Sequence, residues 1–477
     1  MNENNQRRRF IKQTGAAVAG SILAPSFNLY AGKPKLAKKR IVLVGTGIRG
    51  INFWGKTVKE RYGDITEFVG LCDANPGRVA YAKKYIGVDC PTFTNFEEMV
   101  KTTKPDMLIV TTVDATHHEF IIKGMEMGLD VLSEKPMTTD EDKCERILET
   151  ERRTGKKLIM GFNYRYNPHY TKIRELIAEN RVGKVTSVDF HWYLNTYHGA
   201  SYFRRWHGHR DWGGTLLVHK STHHFDLLNW WLDSEPEEVY AWGSLEHYGH
   251  NNSFRGDNCR SCTLKDKCDF YWDITTNKTY MDLYVANEKH DGYIRDNCLW
   301  RPEIDIYDKM SVQIRYANNV LVNYSLTTYS PYEGMRIAFN GWNGRIDAWD
   351  GIPWRKEEKV NQARLHAQEM SSTDEEATNY EEIVVADNFG GHETLKIPRS
   401  KGGHGGGDVR LQDRIFREPN APDPLYHAAG SRDGAMSILV GIAARKSIES
   451  GQPVKIRDLT SLYPLPVKPK ETLRFGG

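Results

Sequence analysis

The pattern of apolar and polar positions changes near residue 161. Before it, short unbroken apolar runs recur at residues 41–44, 67–72, 106–112, 130–133 and 157–160. Runs of this kind read as strands buried on both faces of a parallel sheet. Stretches with helical period lie between them, such as 118–127 and 141–154. This alternation predicts a doubly wound parallel sheet over 39–160. After Gly161 the period becomes two, at 185–193, 238–244, 310–316, 320–327 and 335–340. Long strands with few helices predict an α+β domain over 161–465, built on an open, largely antiparallel sheet. Inside it, residues 355–407 are polar and end in a glycine run, which reads as a mobile insertion with one or two short strands. Residues 430–450 read as a helix stopped by Gly451 and Pro453.

Charge separates the front from the rest. Arg7, Arg8, Arg9 and Lys12 face only Glu3 before residue 33, and beyond that point basic and acidic residues balance at 61 each. A balanced chain gives no basis for binding nucleic acid or an anionic membrane. No apolar run is long enough to span a membrane. Arg7-Arg8-Arg9-Phe10-Ile11-Lys12, with the mild apolar stretch 15–24, resembles a twin-arginine signal. Residues 1–32 are therefore expected to direct export to the periplasm. That route carries folded proteins, so a cofactor loaded beforehand would be tightly held and recycled in place.

The first apolar run enters Gly45-Thr46-Gly47-Ile48-Arg49-Gly50, spaced G-x-G-x-x-G between a strand and a helical segment. The first glycine permits a tight turn, the second lets a pyrophosphate approach the backbone, and the third lets helix and strand pack closely. The helix start adds free N–H groups and a partial positive charge. Asp73 ends the second strand, 23 residues beyond Gly50. A carboxylate there suits the adenosine ribose hydroxyls and repels a 2′-phosphate, which favours NAD over NADP.

Glu134-Lys135-Pro136 follows the fourth run, at the carboxyl end of a parallel strand, where such sheets bind ligands. The proline suits a cis bond. With the glycine fingerprint and Asp73, this motif resembles the glucose–fructose oxidoreductase/inositol dehydrogenase/rhizopine catabolism (Gfo/Idh/MocA) family, from residue 40 to the C-terminus. Residues 161–168, which contain Tyr164 and Arg165, and residues 213–226 resemble it too. The resemblance implies a Rossmann domain followed by a substrate domain. It implies a cofactor set of Gly45, Thr46, Gly47, Ile48, Arg49, Gly50, Asp73, Arg78, Thr112, His117, Glu134 and Lys135. It also implies that Lys135 and His223 serve the reacting hydroxyl of a sugar or polyol. The family usually carries an acid four residues before that histidine, and here the position holds His219. On a helix that spacing puts both imidazoles on one face. The chemistry agrees with these residue types: removing a hydride from a carbinol carbon needs a base, and histidine titrates near neutrality. A lysine beside the oxygen stabilises developing alkoxide. His223 is expected as base, Lys135 as polariser and His219 as orienting or relaying group, with Lys220 and Arg165 as substrate contacts.

A second enzyme class stays open. Tyr164-Arg165 and His404-Gly405-Gly406-Gly407-Asp408 are similar to stretches of the NAD-dependent α-N-acetylgalactosaminidases. These hydrolyse glycosides through an internal oxidation, elimination, hydration and reduction, and in them the matching tyrosine acts as a base. That group lacks the Glu-Lys-Pro lysine. A sugar-binding protein without catalysis is a third reading. Seven aromatic residues between Trp192 and Trp212 suit either the C–H faces of sugars or a subunit interface of the second-domain sheet. Cys259, Cys262, Cys268 and Cys298 could hold a structural zinc ion, form two disulfides or stay as free thiols.

Overall fold

The computed structural model describes residues 37–351, 380–400 and 403–470. The proposed signal region 1–32, Gly402 and residues 352–379 of the polar insertion lie outside the described residues. Strand β1 (Lys39–Val44) is central in a six-stranded parallel sheet with β2 (Thr66–Cys72), β3 (Thr92–Phe93), β4 (Met107–Val110), β5 (Asp130–Ser133) and β6 (Leu158–Met160). The order is β3-β2-β1-β4-β5-β6, so the chain reverses direction across the sheet between β1 and β4. Ligands bind at the carboxyl ends of strands beside such a reversal. Ile41, Val42 and Leu43 are fully buried because helices cover both faces of the sheet.

The second sheet has nine strands: β7 (Val185–Asn195), β8 (Pro236–Ser244), β9 (Lys309–Tyr316), β10 (Leu321–Ser330), β11 (Gly334–Gly341), β12 (Gly344–Asp350), β13 (Tyr380–Asp387), β14 (His392–Pro398) and β15 (Val454–Lys455). The order is β14-β13-β12-β11-β7-β10-β9-β8-β15, antiparallel throughout except where β10 runs parallel to β7. Strict alternation in β9, exposed then buried, shows one face packed and one open. The packed face meets Ser221–Trp231, a helix whose every residue is buried, and the long helix Ser431–Ser450. The insertion expected at 355–407 contains β13 and β14, which extend this sheet by regular antiparallel pairing. Where it is described, it is an edge of the domain rather than a loose loop.

Candidate active site

β1 delivers the chain to Gly45, whose φ is +88°. A methyl there would lie 2.6 Å from the Thr111–Thr112 backbone. Only glycine accepts both constraints. A Cβ on Gly50 would lie 2.3 Å from the Gly45 carbonyl oxygen, so the third glycine is required by packing. Gly45, Gly47, Ile48, Arg49, Asp73, Arg78, Thr112, His117, Glu134 and Lys135 line one cavity of about 1910 Å³. Thr46 and Gly50 do not line it. Thr46 is fully buried and donates its N–H and Oγ1–H to Asp73 Oδ2 at 2.7 and 2.9 Å. It fixes the acid rather than touching a ligand. Asp73 Oδ1 accepts from the Asn75 N–H at 2.9 Å and from Arg78 at 3.2 Å. All four acceptor positions of this carboxylate therefore carry protein donors, and a ribose diol would take the place of Arg78, which also pairs with Asp291 at 2.5 Å.

Nothing in the local sequence announced the part played by residues 245–308. This segment joins β8 to β9 and lies over the glycine loop. Tyr284 Oη accepts the Ile48 N–H at 2.9 Å, and the Asn287 carbonyl accepts from Asn75 Nδ2 at 2.9 Å. A pyrophosphate would use the same Ile48 N–H, so Tyr284 yields that donor when a dinucleotide binds. The turn, the helix start, the acid and the size of the cavity fit NAD.

At the other end of the cavity stand Lys135, Tyr164, His219, Lys220, His223 and His404. The Lys135–Pro136 bond is cis. Lys135 Nζ donates to the His219 carbonyl at 3.0 Å and faces His219 Nε2 at 3.4 Å. His219 Nδ1 meets Asp114 Oδ2 at 2.5 Å. The His223 ring stacks on Tyr164 with centroids 4.1 Å apart, and its Nδ1 has no hydrogen-bond partner among the described residues. Lys220 Nζ donates to Tyr164 Oη at 3.0 Å. His404 Nδ1 lies 3.1 Å from Asp408, which also accepts from Asn163 at 2.5 Å and pairs with Arg49 at 3.4 Å. Arg49 in turn donates to Glu134 at 2.7 Å. Burial, with Lys135, Lys220 and His404 nearby, holds the His223 pKa well below its ordinary value. His223 therefore resists protonation more than the ordinary imidazole expected from the sequence. Burial also pulls Lys135 down to about 8, against the opposing charges of Asp114 and Glu134.

Residues 39–162 match the family model for the "Oxidoreductase family, NAD-binding Rossmann fold", and residues 174–456 match that for the "Oxidoreductase family, C-terminal alpha/beta domain". The chain belongs to the Gfo/Idh/MocA oxidoreductase family. It is 36% identical to YteT of Bacillus subtilis (strain 168), an oxidoreductase by assignment only, over 88% of this chain and 98% of that one. It is 25% identical to an inositol 2-dehydrogenase/D-chiro-inositol 3-dehydrogenase of Lactiplantibacillus plantarum, over 31% of this chain and 44% of that one. An oxidoreductase from Agrobacterium radiobacter, solved with NAD+, L-tartaric acid and magnesium, shares the fold at a TM-score of 0.59 and 12% identity, over 89% of this chain and all of that one. The WlbA dehydrogenase of Bordetella pertussis, solved with NADH and UDP-GlcNAcA, does so at 0.56 and 17%, over 88% and 97%.

Two readings of this Gfo/Idh/MocA chain change with the structure in hand. Arg165, expected to touch substrate, is 1% exposed and absent from the cavity wall. It pairs with Asp226 at 2.5 Å and with Asp433 at 2.9 Å. Its neighbour Tyr164 faces the cavity instead. Of the aromatic set, Tyr197, Tyr202, Trp206 and Trp212 line the cavity, whereas Phe203 is core.

Cys259, Cys262, Cys268 and Cys298 do stand around one small void, and Arg204 donates to Cys259 Sγ at 2.9 Å. All four are unbridged. Among the described residues no three potential ligands are grouped to hold a metal ion. Arg165→Met should destabilise the protein by about 3–5 kcal/mol, because it strands the buried Asp226 carboxylate. Denaturant unfolding measures this. An unchanged stability with a raised KM would restore Arg165 as a substrate contact.

Proposed function

We propose that this protein is an NAD-dependent oxidoreductase that moves a hydride between a carbohydrate or polyol and a tightly held cofactor. One observation carries the reading. A single cavity runs from the glycine loop and Asp73 to Lys135, His219 and His223. Bound NAD supplies a hydride acceptor there. The chain's own groups handle the proton and the charge. His223, which lines the cavity and is held well below its ordinary pKa, takes the hydroxyl proton. Lys135, mostly charged at neutral pH, stabilises the developing alkoxide. Lys220 and Tyr164 form one wall, and the aromatic side chains opposite suit the C–H faces of a sugar ring. The inositol dehydrogenase relative supports a polyhydroxylated substrate.

The glycosidase reading draws on Tyr164 and on the His404–Asp408 pair, both of which face this cavity. Lys135 in the same cavity favours net redox chemistry, since the glycosidase group lacks that lysine. Export through a twin-arginine signal fits a cofactor retained under the cap formed by residues 245–308. Loss of the cofactor outside the cytoplasm would leave no ready replacement.

NAD(H) should accompany the purified protein at near-stoichiometric levels, read from the nucleotide released on denaturation. An active protein that carries none and needs none added would sink the reading. Asp73→Ala should weaken NAD binding and narrow the preference over NADP; tighter binding of NADP by the wild type would reverse that assignment.

Lys135→Met should slow oxidation about a hundredfold while NAD stays bound, the scale of losing one oxyanion partner. His223→Asn should act similarly. Turnover of aryl glycosides without a free sugar acceptor would instead establish the glycosidase cycle.

A further inference from the structure

Asp114 lies beyond the end of β4, where no motif marked it. The residue is 3% exposed, and it approaches the reacting end of the cavity from the first domain while His219 approaches from the second. The contacts form a line from Asp114 Oδ2 to His219 Nδ1 at 2.5 Å, then from His219 Nε2 to Lys135 Nζ at 3.4 Å. An imidazole that gives its Nδ1 proton to a carboxylate has only a lone pair at Nε2. That lone pair faces an ammonium group, and the His219 carbonyl accepts a second proton from the same ammonium at 3.0 Å. Trp206 and His207 close the remaining side: the His207 ring meets the His219 ring edge to face, with centroids 4.1 Å apart. The imidazole is thereby held in one orientation.

We propose that Asp114 is a positioning residue which, by fixing the tautomer and orientation of His219, holds Lys135 in its charged form and directs it at the substrate oxygen. The proposal rests on the oxidoreductase reading and identifies what sets its polarising group. An amide at position 114 could turn either its oxygen or its NH2 to His219 Nδ1, so the tautomer would no longer be fixed. With the NH2 toward Nδ1, the proton sits on Nε2 and opposes the ammonium, donor against donor.

Other charged groups face the line as well. Glu134 favours the charged lysine, while Lys220 and Arg49 disfavour it. Arg205, Lys220 and His117 act on His219 in the same sense as Lys135, against its protonation. Burial, with Glu134 adding to it, raises the Asp114 carboxyl well above its ordinary value against the pull of Lys135 and Arg205. The charged lysine is the form present below its pKa and is lost as pH rises through about 8. Removing the Asp114 charge takes away the largest influence opposing that loss, so the transition moves to lower pH.

The test uses the holoprotein and needs no known substrate. Trace acetylation with acetic anhydride, read at Lys135 by mass spectrometry across a pH series, reports the fraction of free amine. The wild-type midpoint should fall near 8. In Asp114→Asn it should fall about one pH unit lower, with bound NAD and melting temperature retained. Asp114→Ser should give the same direction and serves if the amide variant does not fold. In a His219→Gln background the Asp114→Asn shift should shrink, because the intermediary is gone.

A midpoint unmoved in folded Asp114→Asn overturns the proposal. So does a shift of equal size with and without His219. Failure of the oxidoreductase reading would show separately, as full turnover in Lys135→Met. Where a substrate is in hand, Asp114→Asn should lower kcat at pH 8 about tenfold or more with little change in KM.

Discussion

The buried ion triad of Arg165, Asp226 and Asp433 is the constraint on which the site depends. Arg165 lies in the turn after β6, Asp226 in the helix Ser221–Trp231, and Asp433 in the first turn of Ser431–Ser450. One guanidinium therefore ties three elements that are far apart in the sequence. Its bidentate pairing with Asp226, at 2.8 and 2.5 Å, fixes direction as well as distance. Tyr164 adjoins the arginine, and His223 lies three residues before the aspartate. The ring stack between Tyr164 and His223 is thus set from behind by a charge pair that no substrate reaches. Burying such charges is expensive, and their worth lies in geometry more than in net stability.

A second constraint comes from the segment between β8 and β9. It reaches from the second sheet to the loop that a dinucleotide must use, and it engages three separate parts of that loop's surroundings. Ile48 is held by Tyr284, Asn75 by Asn287, and Arg78 by Asp291. The first could exchange with a cofactor, phenol oxygen for phosphate oxygen, and Arg78 could likewise give up Asp73 to a ribose hydroxyl. A nucleotide seated on the glycine loop would lie beneath the same segment. The cysteines stand in this segment, away from the reacting groups, so whatever state they hold bears on the cap and not on the chemistry.

The fold was largely legible because buried strands and the glycine turn are local signals. Apolar runs, a glycine forced to positive φ, and an acid after the second strand can each be read within a few residues. Lys135 and His223 were reachable through their motifs. Asp114 was not, since its meaning comes from His219, which is 105 residues away. Arg165 was misplaced for a related reason: a polar residue beside a cavity-facing tyrosine looks like a contact until its partners, from two distant helices, are seen. The strands β13 and β14 show the same limit. A charged stretch ending in glycines carries little apolar signal, and pairing along β12 supplies the order that composition lacks.

Electrostatic confinement then explains why the titrating groups behave alike. Arg49, Lys135, Arg205 and Lys220 all line one cavity. Each raises the cost of another positive charge, and burial removes the water that would screen them. His198, His207, His219 and His223 are accordingly all held well below their ordinary pKa, first by burial and then by these cations. Lys135 is lowered by the same causes, yet Asp114 and Glu134 keep it charged at neutral pH. The result is a wall of imidazoles that resist protonation, set around a few cations, of which Arg49 pairs with Glu134 and Asp408. Such a wall resists a further proton but welcomes negative charge. In the proposed reaction, an alkoxide that forms as the hydroxyl proton leaves would meet that field already in place, with little reorganisation required before the hydride departs and the carbonyl forms.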